Sequence, residues 1–226
     1  MKTIRELILS NRAWSQEMRE RTPDYFTRQI VGQKPEVLWI GCSDSRVSPE
    51  QITQTRPGEL FIHRNIANIV HPEDENLMAV LQFAVEELRV PHIVLCGHYG
   101  CGGIEATLRG GIRGPIHNWL GGARDVQDAH LAELEAIPDF NQRLNRMVEL
   151  NVRDQLIRLG GLDIVRRAFE LGQELTLHGW VYDLREGLLS ELYEIGSQEE
   201  LDCLTLPDSV ISLPCGVEPI RAVAAR

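Results

Sequence analysis

Two short stretches of the chain concentrate the residue types that bind metals and move protons. Cys42-Ser-Asp-Ser-Arg46 sets a thiol, a carboxylate and a guanidinium close together, and His98-Tyr-Gly-Cys101 adds an imidazole and a second thiol. Zinc takes sulfur and nitrogen donors in a tetrahedron, and a catalytic zinc keeps three protein donors and one open position for water. Cys42, His98 and Cys101 make up such a donor set. A lone His-x-x-Cys carries little information; the charged cluster around Cys42 carries the rest. Gly100, Gly102 and Gly103 permit a tight turn with unhindered backbone around Cys101. Asp44 and Arg46 are spaced for a charge-assisted pair that keeps the carboxylate ionised and aimed at the metal's fourth position. Released by Arg46, Asp44 would itself be a metal ligand. Zinc brings the pKa of a bound water toward neutrality, and two thiolates donate more charge to the metal than histidines would, so an alkaline optimum is expected.

Two other classes compete. A closed structural zinc site would use Asp44 as its fourth ligand, but a chain of 226 residues needs no metal staple to fold, and such a site has no use for Arg46. A dithiol redox protein would carry Cys-x-x-Cys, which is absent from the sequence.

These residues need elements to position them. Apolar runs at 36–41, 59–64, 92–97 and 174–182, bounded by Gly, Pro and polar clusters, predict four strands. Cys42 and His98 fall just past the C-terminal ends of two of them, where open α/β sheets bind ligands. Residues 4–20 place Ile4, Leu7, Ile8, Trp14 and Met18 at helical spacing, and Pro72-Glu73-Asp74 opens a helix with Leu77, Val80, Leu81, Ala84 and Leu88 on one face. From 118 to 171 the pattern is helical, with a stripe of Leu144, Met147, Val148, Val152, Leu156 and Leu159 ended by Gly160-Gly161. The expectation is a single α/β domain over 1–226, with a mostly parallel four- to five-stranded sheet flanked by helices. Residues 1–30 form a helical arm and 190–226 a C-terminal packing segment, in which Leu204, Leu206, Val210, Ile211 and Leu213 suit a final strand or a partner contact.

Composition narrows the function. A net charge of −10 argues against a nucleic-acid partner. No apolar run reaches the about 18 residues of a membrane span, and the N-terminus lacks the apolar stretch of a signal peptide, so a cytoplasmic address is expected. The odd number of cysteines reads as thiols or metal ligands rather than disulfides; Cys96 lies in an apolar strand and Cys203 and Cys215 in the tail. His63, His71, His92, His117, His130 and His178 lack a second ligand at metal spacing and read as structural.

Cys42-Ser-Asp-Ser-Arg-Val47, His63-Arg-Asn-Ile-Ala-Asn68 and Gly97-His-Tyr-Gly-Cys-Gly-Gly103 resemble the β-class carbonic anhydrases, over about residues 30–190. The resemblance implies reversible hydration of carbon dioxide to bicarbonate, one Zn2+ per chain on Cys42, His98 and Cys101, an Asp44/Arg46 catalytic dyad, and a homodimer or a dimer-of-dimers tetramer. One branch of the family is also similar at Trp39, Gly41, Arg64 and Tyr182. There the resemblance implies a non-catalytic bicarbonate pocket whose filling at low pH favours a closed state with Asp44 on the zinc. By position, the substrate pocket would use Gln33, Phe61, Ile66, Phe83 and Gly102; Phe83 departs from the tyrosine often found there, and Ser48 is a further small departure. Relatives that attack carbon disulfide or carbonyl sulfide share the same kind of site.

Overall fold

The structure, a computed structural model, describes residues 2–204. Five strands form one sheet in the order β2-β1-β3-β4-β5: β1 (Val37–Cys42), β2 (Leu60–Asn65), β3 (His92–His98), β4 (Thr176–Asp183) and β5 (Leu188–Ile195). The first four run parallel and β5 runs antiparallel to β4. β1 and β3 lie inside the sheet, which is why each is a near-continuous apolar run buried on both faces. The expected strands are all present, and β5 is the additional one. Its burial is irregular, with Glu191 and Glu194 exposed, as suits a sheet edge.

Eleven α-helices flank the sheet among the described residues: α1 (Ile4–Arg21), α2 (Tyr25–Gln29), α3 (Pro49–Thr53), α4 (Glu75–Gln82), α5 (Gly102–Arg109), α6 (Pro115–Trp119), α7 (Gly121–Ala129), α8 (Leu131–Glu135), α9 (Phe140–Gly160), α10 (Asp163–Glu170) and α11 (Gln198–Leu204). α4 starts after the proline rather than on it, because the Asp74 side chain caps it by accepting from Asn76 N–H. Its last turn widens into a π-helical stretch, Phe83–Glu87, that ends at a left-handed Arg89 before Pro91. The long stripe expected over 144–159 is the buried face of α9, which stops at Gly160.

Leu38, Ile40, Ile93, Leu95 and Leu177 on one sheet face join Leu77 and Leu81 of α4 and Leu156 and Leu159 of α9 in a fully buried core. The other face carries Trp39, Val94 and Cys96 with Trp180 and Tyr182. α1 begins with a capping box between Thr3 and Glu6, yet all its residues keep some exposure, and Ile4, Leu7, Ile8 and Leu9 are more than half exposed. Its Trp14 packs edge-on against Tyr25 and Phe26 of α2, with centroids 6.0 and 5.6 Å away.

Two expectations for the tail are corrected. Leu204 ends a helix and is buried with Leu201, rather than sitting in a strand, because Ser197 opens a helical turn after β5. Cys203 is disulfide-bonded rather than a free thiol. Leu206, Val210, Ile211, Leu213 and Cys215 lie outside the described residues. Among the described residues no helix is long and apolar enough to cross a membrane.

Candidate active site

The strand register brings the C-terminal ends of the four parallel strands to one rim of the sheet, with Cys42 opposite Asn65 and His98 opposite Tyr182. Cys42 closes β1, His98 closes β3, and Cys101 is the residue that leads into α5. The turn between them needs a left-handed residue, and Gly100 supplies it at φ 67°. All three side chains are buried, and their ligand atoms lie within 4.8 Å of one another, the one such cluster among the described residues. The two sulfurs are 3.9 Å apart.

His98 Nδ1 donates to the Tyr99 carbonyl at 3.1 Å, which leaves a lone pair on Nε2. That Nε2 is buried without a hydrogen-bond partner among the described residues. An orphan imidazole nitrogen facing two thiols is costly without a cation and suits zinc with it. At this distance each thiol shifts the titration of the other. The Cys101 S–H draws the Cys42 thiol down to about 4, against burial and with help from His98 and the Ala67 and Asp44 amides, while the same contact and burial push Cys101 up.

Asp44 sits beside this cluster. Its Oδ1 accepts from Arg46 N–H and Nε at 2.9 Å each, its Oδ2 accepts from Arg46 Nη2 at 2.7 Å, and Oδ2 stands 3.7 Å from His98 Nε2. The guanidinium holds the carboxyl well below the usual carboxylate range, more than burial raises it. Arg46 Nη2 also donates to the Gly100 carbonyl at 3.2 Å, so one side chain joins the two ligand-bearing loops. A second Asp-x-Arg pair, Asp183 at the end of β4 and Arg185 just after it, has the same geometry, with bonds of 2.8, 3.0 and 2.7 Å. The pair is therefore a local turn device; its position against His98 sets Asp44 apart.

The loop around Cys42 is held from several sides that sequence reasoning did not single out. Ala67 N–H donates to Cys42 Sγ at 3.4 Å from a left-handed backbone, φ 63°. Such a conformation costs about 1–3 kcal/mol for a residue with a Cβ. Asn65 sustains it by bonding Ile69 N–H and C=O at 2.8 Å each, and Asn151 of α9 donates to the Ala67 carbonyl at 3.1 Å. The cue in the sequence is polar Asn151 and Gln155 inside an apolar helical stripe; both are buried.

Arg64 of β2 donates Nε to the Cys42 carbonyl at 2.9 Å and Nη2 to the carbonyls of Asp44 and Val47. Next to it in the register, Gly41 leaves room for Trp39, whose Nε1 would stand 2.6 Å from a Cβ there. Trp39 is 1% exposed and its Nε1 lacks a hydrogen-bond partner among the described residues. Tyr182 packs in the same cluster as Trp39. Of the remaining pocket candidates, Ile66 lies against Gly103 beside Cys101, and Phe61 and Phe83 face each other at 5.8 Å between centroids. Ile66, Phe83, Gly102 and Gln33 are exposed in the single chain.

Known proteins show the same architecture. A family profile described as carbonic anhydrase matches residues 37–189. The carbonic anhydrase of Emericella nidulans is 43% identical over 187 residues, covering 83% of this chain and 82% of that protein. That of Pseudomonas aeruginosa is 41% identical over 177 residues, covering 74% and 77%. Among solved structures, a Coccomyxa β-carbonic anhydrase in complex with acetazolamide superposes with a TM-score of 0.84 at 35% identity, covering 89% of this chain and 96% of that one. A tetrameric β-carbonic anhydrase from Sordaria macrospora gives 0.81 at 41% identity, covering 84% and 98%. With the rim of sulfur, imidazole and guanidinium-held carboxylate described above, the chain belongs to the β-class carbonic anhydrase family.

Proposed function

We propose that the protein catalyses the reversible hydration of carbon dioxide, with zinc held by Cys42, His98 and Cys101 and with Asp44 and Arg46 as its dyad. The observation that carries this reading is the Asp44 carboxylate, fixed by two side-chain bonds from Arg46 with Oδ2 3.7 Å from the buried, unpartnered His98 Nε2. Bound there, zinc would supply Lewis acidity and bring the pKa of water to near neutrality. Asp44 Oδ2, held ionised, can only accept a hydrogen bond, so it would accept one from the O–H of the attacking oxygen and leave that oxygen's lone pair facing the substrate. Arg46 keeps that carboxylate from rotating onto the metal. Carbon dioxide is linear and apolar, and Ile66 beside Gly103 offers it an apolar wall. A closed structural zinc is disfavoured because Asp44 is committed to Arg46.

The reading extends to control by bicarbonate. Arg64 holds the carbonyls of Cys42, Asp44 and Val47. An anion on that guanidinium competes with them and loosens the Asp44 loop, and the unpartnered Trp39 indole N–H with Gly41 and Tyr182 suits the same anion. Bicarbonate would then hold Asp44 on the metal and inhibit at low pH. Assembly as a homodimer or a dimer of dimers is part of the proposal, supported by the exposed apolar residues of α1 and by the tetrameric Sordaria relative.

The test is proton release on mixing the protein with dissolved carbon dioxide, followed by stopped-flow with an indicator at about pH 8.5. Rapid release abolished by a chelator is the expected result. No release from zinc-loaded protein would turn the reading to carbon disulfide or carbonyl sulfide, or to a structural metal.

A further inference from the structure

We infer that Tyr99 and Glu149 form an outer clamp that positions His98 for the metal, an inference that rests on the ligand reading above. The carbonyl that accepts from His98 Nδ1 belongs to Tyr99, so whatever fixes the Tyr99 peptide fixes the direction in which Nε2 points. Tyr99 is fixed at both ends. Its N–H donates to the Tyr182 carbonyl at 3.0 Å, extending the β3–β4 ladder one residue past His98. Its hydroxyl donates to Glu149 Oε1 of α9 at 2.8 Å.

Glu149 is itself restrained, because its other oxygen accepts from Arg146 Nη1 at 3.0 Å, and Arg146 also bonds Glu133 of α8. Over the Tyr99 ring lies the Arg185 guanidinium, 5.8 Å from the centroid and gripped by Asp183. The metal-facing nitrogen is thus tied to the longest helix of the domain rather than to the 97–101 loop alone. Groups that orient a ligating histidine cost about 10–100-fold in metal affinity when removed.

The test uses the full chain and its Tyr99→Phe, Glu149→Leu, Glu149→Gln and Tyr99→Phe/Glu149→Leu variants. Zinc affinity is measured by chelator competition, and ligand geometry by the visible absorption of the cobalt-loaded proteins. Tyr99→Phe and Glu149→Leu should each weaken zinc binding by about 10-fold and shift the cobalt bands. The double variant should be no worse than either single one, because both remove the same bond. Glu149→Gln, whose amide oxygen still accepts from the phenol, should bind near the parent value; this rescue separates the bond from the Arg146 ion pair and needs no apolar substitution to fold. Tyr99→Phe with parental affinity and an unchanged cobalt spectrum would overturn the clamp, as would Glu149→Gln as weak as Glu149→Leu. Failure of the ligand reading shows without these variants, as a parent that holds no zinc or a His98→Ala variant that keeps it, and it removes the clamp as well.

Discussion

Asp44 and Cys101 separate two jobs that a single loss of activity would confuse. Asp44 has a carboxylate whose oxygens are filled by Arg46 on one side and face His98 Nε2 on the other. Asp44→Asn keeps the size but replaces an acceptor oxygen by a donating amide, which meets the Arg46 guanidinium with like polarity. The expected outcome is full zinc content with turnover reduced by about 100-fold or more, read by metal analysis beside stopped-flow hydration. Cys101→Ala removes one of three buried donors, so zinc and activity should disappear together in the same two measurements. The gathering of these side chains was legible from residue types, because thiol, imidazole and a carboxylate–guanidinium pair leave few other uses so close together. The bracing was not legible: Arg64 grips three main-chain carbonyls and Ala67 N–H reaches a sulfur across the rim, and contacts made through backbone leave no mark on side-chain type.

At the scale of the elements, β3 and α9 approach so closely that Gly97 has no space for a methyl group. A Cβ there would stand 2.7 Å from Val152 Cγ2 and 3.3 Å from Val148 Cγ1, and β-branched valines cannot swing aside. Gly97→Ala should therefore destabilise by about 1–3 kcal/mol, seen as a lower urea midpoint with an unchanged slope, and should weaken zinc retention because His98 is the next residue. β2 and the loop after β1 are coupled through Arg64, and from that coupling activity is expected to be lost sigmoidally as pH is lowered, more deeply with added bicarbonate. A smooth single-proton profile indifferent to bicarbonate would remove the control. Strands β1 to β4 could be read from the sequence because each is an apolar run between Gly, Pro and polar clusters. β5 could not, since an edge strand exposes Glu191 and Glu194 among its leucines and so lacks a clean period of two. The π-helical turn at 83–87 likewise follows from packing rather than from any local residue preference.

Over the whole molecule, buried titratable groups set how the fold responds to acid. Burial lowers the pKa of His63 against the pull of Asp74. Burial and the neighbouring His92 lower that of His178, against Glu194 and Glu191. Both histidines therefore stay neutral in the folded chain at a pH where the unfolded chain, titrating near its ordinary value of about 6.5, has taken up protons. The unfolded state then binds more protons than the folded one, so stability rises with pH and their share is lost as pH falls below about 6.5. A second loss follows below the ordinary carboxylate range, about pH 4, where Asp183 gives up the proton-free form that Arg185 stabilises. Acid unfolding should accordingly show two declines in the urea midpoint, one setting in below about pH 6.5 and one below about pH 4. His178 donates or accepts across 3.2 Å to His92, and His178→Gln, which keeps a hydrogen-bonding amide but cannot titrate, should flatten the first decline and leave the second in place. Equal slopes for parent and variant between about pH 7.5 and 5.5 would show that His178 does not govern this response.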